Sequence, residues 1–182
     1  DADVSEFRAL YGIGDAPIVL ALPGSRLGEV SRLADRFGKA LEAVIAENPT
    51  ARVVVPTVAS VAGKVHEVVK RWPGAPLVLD PRDIDEAQFA QTKSAAFRAA
   101  HVALAASGTV SLELAAAGTP MVIAYDMNWL SRVIISRMLR TDTVTLVNLV
   151  SETRVVPEFI GADCQPAAIA DALALAIADP NA

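Results

Sequence analysis

Short, unbroken apolar runs alternate along this chain with longer stretches in which apolar positions recur every three or four residues. The run "PIVLAL" (17–22) carries no polar side chain, the pattern of a strand covered on both faces. Residues 29–47 then place Leu33, Phe37, Leu41 and Ile45 at steps of four, one face of an amphipathic helix that Asn48-Pro49 stops. The alternation continues with strands at 52–56, 75–80, 102–106 and 120–125, and with helices at 60–72, 83–100 and 109–117. A short helix is expected over 4–10, ending at Tyr11-Gly12, a further helix over 128–140, a sixth short strand over 143–149, and a closing helix over 166–178. Strands and helices in this order, joined by short connections, predict an α/β fold: a Rossmann-like parallel sheet with right-handed crossovers and helices on both faces. We expect residues 1–182 to form one such domain.

Composition supports a large core. Of 182 residues, 53% are hydrophobic and only 20% charged, with a mean hydropathy of +0.39. Aromatics are 5%, which favours helices laid on a Val/Ile sheet over an aromatic-rich sandwich. The net charge of −5 gives no support to nucleic-acid binding. The single cysteine, Cys164, has no partner in the chain for a disulfide, which fits a reducing compartment. There is no run of eighteen apolar residues and no signal-peptide pattern. The chain opens on Asp-Ala-Asp, and we expect it to be a domain excised from a longer protein.

In an open parallel sheet, ligands bind beyond the carboxyl ends of the strands, near the switch in strand order. Two connectors at that edge look chemical. The first, Pro23-Gly24-Ser25-Arg26, offers a glycine that lets backbone come close to a ligand and a guanidinium suited to phosphate oxygens. The second, Ser107-Gly108-Thr109, opens a helix, where free N–H groups and the helix dipole favour an anion. Either one alone reads as ordinary capping or turning. Together at one edge they point to an anionic ligand without naming it. Glu113 stands four residues after Thr109 on the same side of the helix. One turn from a phosphate it can accept hydrogen bonds from a sugar's vicinal hydroxyls; otherwise it is a solvated or capping glutamate. "GIGDAP" (12–17) is not the dinucleotide fingerprint, since it precedes the first strand and opens no helix, and no Walker A stretch is present.

Four blocks, "LALPGSRLGEV" (20–30), "ALAASGTVSLELAAAGTPMVIAY" (103–125), "LVNLV" (146–150) and "VVPEF" (155–159), resemble the lipid-A-disaccharide synthase family of glycosyltransferases. The likeness covers nearly the whole chain and implies the C-terminal half of a GT-B fold, with the family's N-terminal acceptor domain outside this chain. It implies an inverting transfer of 2,3-diacylglucosamine from its UDP conjugate to the 6-hydroxyl of 2,3-diacylglucosamine 1-phosphate. No cofactor is implied, and the chemistry strictly requires no metal. By the same resemblance Gly24, Ser25, Ser107, Gly108 and Thr109 bind the donor's diphosphate, and Arg26 neutralises charge on the leaving group. Glu113 matches the ribose-gripping position of the related peptidoglycan glycosyltransferase. Asn148 is expected to face the cleft as a catalytic residue, Glu158 to contact the donor, and the general base to lie in the other domain.

Other residues receive plainer readings. His101 stands where the family often has Asp, and we expect a structural role; His66 reads as surface and Cys164 as incidental. Residues 127–140 interleave Trp129, Leu130, Val133, Ile134, Met138 and Leu139 with Arg132, Arg137 and Arg140. Such a basic amphipathic helix either lies on an anionic bilayer or packs on the sheet with its arginines in water. The expected partners are the UDP-sugar donor, the lipid acceptor, an anionic membrane surface, the N-terminal domain and a second subunit. The expected location is cytoplasmic, peripheral at the inner membrane's cytoplasmic face. A UDP-sugar 2-epimerase half, which would need histidine and carboxylate machinery not found here, and a non-catalytic docking module are the alternatives.

Overall fold

The computed structural model describes residues 2–106, 108–126, 143, 145–151 and 155–178. Among these, six parallel strands form one sheet in the order β3-β2-β1-β4-β5-β6. The strands are β1 (Ile18–Leu22), β2 (Arg52–Pro56), β3 (Leu77–Leu79), β4 (Val102–Ala105), β5 (Met121–Tyr125) and β6 (Glu158–Ile160). The helices are α1 (Ala2–Leu10), α2 (Leu27–Glu47), α3 (Ala62–Val69), α4 (Glu86–Ala99), α5 (Val110–Ala116), α6 (Leu146–Ser151) and α7 (Pro166–Ala178).

Alternation along each strand splits the core in two. Val19, Ala21, Val53, Val55, Leu104 and Val122 face Val30, Leu33, Phe37 and Leu41 of α2, with α3 and α7 beside it. Ile18, Leu20, Leu22, Val54, Ala103 and Ile123 face Phe7 of α1 and the Ala95, Ala96 and Phe97 stripe of α4. Helices therefore cover both faces, which is why β1 and β4 could be written without a polar residue. Gly38 allows α2 and the indole of Trp72 to meet: a Cβ there would stand 2.8 Å from the ring, and Trp72 Nε1 donates to Ala34 O at 2.9 Å.

The first three strands step outward from β1 in one direction, and β4, β5 and β6 step outward in the other. The switch lies between β1 and β4, which pair along Val19 to Leu22. The connectors leaving these two strands thus flank one crevice at the carboxyl edge.

Several boundaries differ from the sequence expectation. Helix α4 begins at Glu86, because the Asp85 carboxylate caps it by accepting from Gln88 N at 3.0 Å. The strand expected over 143–149 is not one: Leu146–Ser151 is helix α6, and the sixth strand is Glu158–Ile160, paired with β5. The alternation of Thr143, Thr145 and Val147 imitated period two, but Asn148 turns inward to bond Val156, which fixes the segment as helix. The helix expected over 128–140, with its arginines and Trp129, lies outside the described residues.

Candidate functional site

The first connector is built around a carboxylate. Glu29, three residues into the start of α2 and with only 8% of its side chain exposed, turns back toward the turn that precedes it. Its Oε2 accepts from the N–H groups of Ser25 (3.2 Å) and Arg26 (3.3 Å), and its Oε1 receives Arg26 Nη1 at 2.9 Å. Gly24 adopts φ +120°, and a Cβ there would lie 2.7 Å from Glu29 Cβ and Oε2. The close approach that this glycine permits is therefore first of all to the protein's own carboxylate. The amides of Ser25 and Arg26, expected to meet a ligand anion, already have an internal acceptor. The Arg26 guanidinium, tethered at one nitrogen, keeps its other donors on an exposed side chain.

The second connector follows β4. Gly108 has φ +147°, and Thr109 precedes α5 without spending its side chain on a cap. Ser111 Oγ donates to Gly108 O at 2.9 Å, which pins the turn against the helix. Ser107 lies outside the described residues. One turn into α5, Glu113 carries a half-exposed carboxylate that meets Lys93 Nζ, from α4, at 2.6 Å. Lys93 in turn lies over the buried Phe97 ring, 5.3 Å from its centroid.

These two turns line one cavity of about 370 Å³. Gly24, Ser25, Arg26 and Glu29 stand on one side, Gly108, Thr109 and Glu113 on the other. The end of β2 (Pro56, Thr57, Val58) and Phe89 and Lys93 of α4 close it. The volume suits a small ligand. Thr57 is buried, with 6% exposure, and its Oγ1 has no hydrogen-bond partner among the described residues. Each cavity carboxylate has its own cation: Arg26 for Glu29, Lys93 for Glu113.

Two expected site residues lie elsewhere. Asn148 is fully buried and does not face the cleft: its Nδ2 donates to Val156 O at 2.9 Å and its Oδ1 accepts from Val156 N at 3.1 Å. Both ends of the amide are consumed in tying α6 to the segment before β6, so the expectation of a catalytic cleft-facing residue is corrected. Glu158 Oε1 accepts from Thr143 Oγ1 (2.7 Å) and Thr145 N (2.6 Å), which anchors the approach to α6; Glu158 does not line the cavity.

The remaining singled-out residues are structural in placement. His101 Nδ1 accepts from Ile18 N at 3.1 Å, at the start of β1. Burial, with the nearby Arg8 charge, holds its pKa below the ordinary value, so the ring is neutral and able to accept. His66 is half-exposed, as expected of a surface residue, and its Nε2 pairs with Asp80 Oδ2 at 3.0 Å. Asp80, almost wholly buried just past β3, is held well below the usual carboxylate range by the Arg82 guanidinium. Cys164 is buried, and burial pushes its thiol up.

Sequence reasoning missed Glu29, Lys93, Thr57 and Phe89 as cavity residues. Glu29 had a signal: an acidic residue at the third helical position, poised to reach back to the cap. Lys93 had none, because it meets Glu113 across twenty residues and two helices.

Residues 3–182 match the family model described as lipid-A-disaccharide synthetase. The chain is 61% identical over 181 residues to the lipid-A-disaccharide synthase of Ruegeria pomeroyi, covering all of this chain and 45% of that protein. It is 43% identical to that of Rhodospirillum centenum, covering 96% of this chain and 41% of the relative. The chain thus spans less than half the length of these relatives. Among solved structures it superposes on ADP-heptose lipopolysaccharide heptosyltransferase II of Escherichia coli with a TM-score of 0.70 at 12% identity, over 100% of this chain and 53% of the other. On Anabaena HepE, solved with UDP and glucose, the TM-score is 0.59 at 16% identity, over 98% and 43%. These likenesses show the fold: one Rossmann-like half of the GT-B architecture.

Proposed function

On the premise that the chain belongs to the lipid-A-disaccharide synthetase family, we propose that it is the donor-binding half of an inverting glycosyltransferase. The complete enzyme moves 2,3-diacylglucosamine from its UDP conjugate to 2,3-diacylglucosamine 1-phosphate and releases UDP. The observation that carries this reading is the convergence of the Gly24–Arg26 and Gly108–Glu113 turns on one cavity at the strand switch.

The chemistry follows from what each group can do. As the glycosidic bond to UDP breaks, negative charge grows on the β-phosphate, and donors already aimed at it stabilise the departing group without reorganisation. Arg26 supplies a guanidinium whose tether to Glu29 limits its swing. Gly108 and Thr109 supply the close backbone and a hydroxyl not used for capping. Glu113 takes the ribose hydroxyls from one turn further along. Because Ser25 and Arg26 already give their amides to Glu29, the second turn carries more of the diphosphate, and the first contributes mainly the Arg26 side chain. The acceptor site and the general base belong to the N-terminal domain, and binding alone is expected of this chain.

The lipid substrates place the enzyme at the cytoplasmic face of the inner membrane, as a peripheral protein. Among the described residues no helix is long and apolar enough to cross a membrane.

Titrating UDP into the isotopically labelled 182-residue chain tests the reading. The amides of Gly24, Arg26, Gly108, Thr109 and Glu113 should shift together, and Arg26→Ala should weaken the response. Silence in both turns on addition of UDP overturns it.

A further inference from the structure

Glu113 and Lys93 meet in the cavity from different helices. Both side chains are partly exposed, and as a contribution to stability alone such a pair is worth little. Here the partners are twenty residues apart, on α5 and α4, and both line the space bounded by Arg26, Gly108 and Thr109. Lys93 is also held from beneath, since its ammonium lies over the ring of the buried Phe97. The ammonium therefore sits between two attractions, the ring of Phe97 and the carboxylate of Glu113. Two chemical requirements meet at Glu113. To accept hydrogen bonds from vicinal hydroxyls the carboxylate must stay ionised, because a protonated acid spends one oxygen as a donor. To stand one turn from a diphosphate its charge is best cancelled, because like charges destabilise one another at close range.

We infer that Lys93 is a positioning residue of the donor cavity: it holds Glu113 in place as the hydroxyl acceptor and cancels its charge beside the diphosphate. The inference rests on the donor-binding reading above and adds a residue to it. Lys93 acts through Glu113, and its removal therefore matters only while Glu113 is charged.

A double-mutant cycle on the 182-residue chain reads this directly, with UDP as the probe and dissociation constants measured for wild type, Lys93→Met, Glu113→Gln and the double variant. Lys93→Met is expected to weaken UDP binding by about fivefold or more, within the range of couplings seen for residues in one ion-pair network. Lys93→Arg should restore most of the loss. In the Glu113→Gln background, Lys93→Met should change little. A general structural role would give the same loss in both backgrounds, and that result overturns the inference, as does unchanged affinity in Lys93→Met. Thermal unfolding of each variant accompanies the titrations; if Lys93→Met fails to fold, Lys93→Gln takes its place in the cycle. If the wild-type chain gives no response to UDP, the donor-binding reading falls and takes this one with it, whereas UDP binding with a flat cycle removes only the role of Lys93.

Discussion

A methyl group added at Gly24 would meet Glu29 Cβ and Oε2 at 2.7 Å, in a conformation of φ +120° that L side chains rarely adopt. Gly24→Ala should therefore strain the turn twice over, once in the backbone and once against a nearly buried carboxylate. A destabilisation of about 1–3 kcal/mol is expected in urea unfolding, the usual cost of one residue held in a sparsely populated region. The same substitution at Gly12, where φ is +61° and nothing lies within 4 Å of an added Cβ, meets only the backbone penalty and should cost less. The difference between the two reads the contact with Glu29 together with the stricter backbone conformation at Gly24.

At the scale of elements, the strands that were easiest to read were those buried on both faces, because nothing along them had to be polar. β1 and β4 appear as bare apolar runs, whereas their places on either side of the strand switch come from the pairing of the sheet. The two chemical turns were legible for the same reason, since Gly, Ser, Arg and Thr stand out between such runs. What escaped were contacts made across the chain. Asn148 sits in a stretch whose alternation looks like a strand, and only its pairing with Val156 makes it a helix residue. β6 is three residues long and begins with a glutamate, too little for any periodicity to register. Asn148→Ala tests the structural role now given to that side chain. It removes the partner that Asn148 gives to the half-buried N–H and carbonyl of Val156, and should cost about 1 kcal/mol or more in chemical unfolding. A loss near zero would overturn the structural role of Asn148.

Across the whole molecule, His101 links three elements: its ring accepts from the first residue of β1, stands just ahead of β4, and feels Arg8 of α1. Its folded pKa lies below the ordinary 6.5. The unfolded chain therefore takes up the proton first as pH falls, and the stability contributed by the neutral ring is present above about 6.5 and lost below it. Asp80 works in the same direction, because its pKa is lowered too, but its contribution starts to fall only near the unfolded carboxylate value of 3.8, below this range. Thermal unfolding should accordingly move to lower temperature between pH 7 and pH 5. His101→Asn, which keeps an acceptor but does not titrate, should flatten that slope. An unchanged slope in the variant would assign the acid sensitivity to other groups.

The matching of Arg26 to Glu29 and of Lys93 to Glu113 leaves the crevice close to electroneutral, on a protein whose overall charge is −5. Among the described residues, the lining of this crevice offers no net charge to draw a nucleotide sugar in from a distance. Capture then depends on fit at short distance, and added electrolyte, which silences distant attraction within about 10 Å at 0.1 M, has little there to silence.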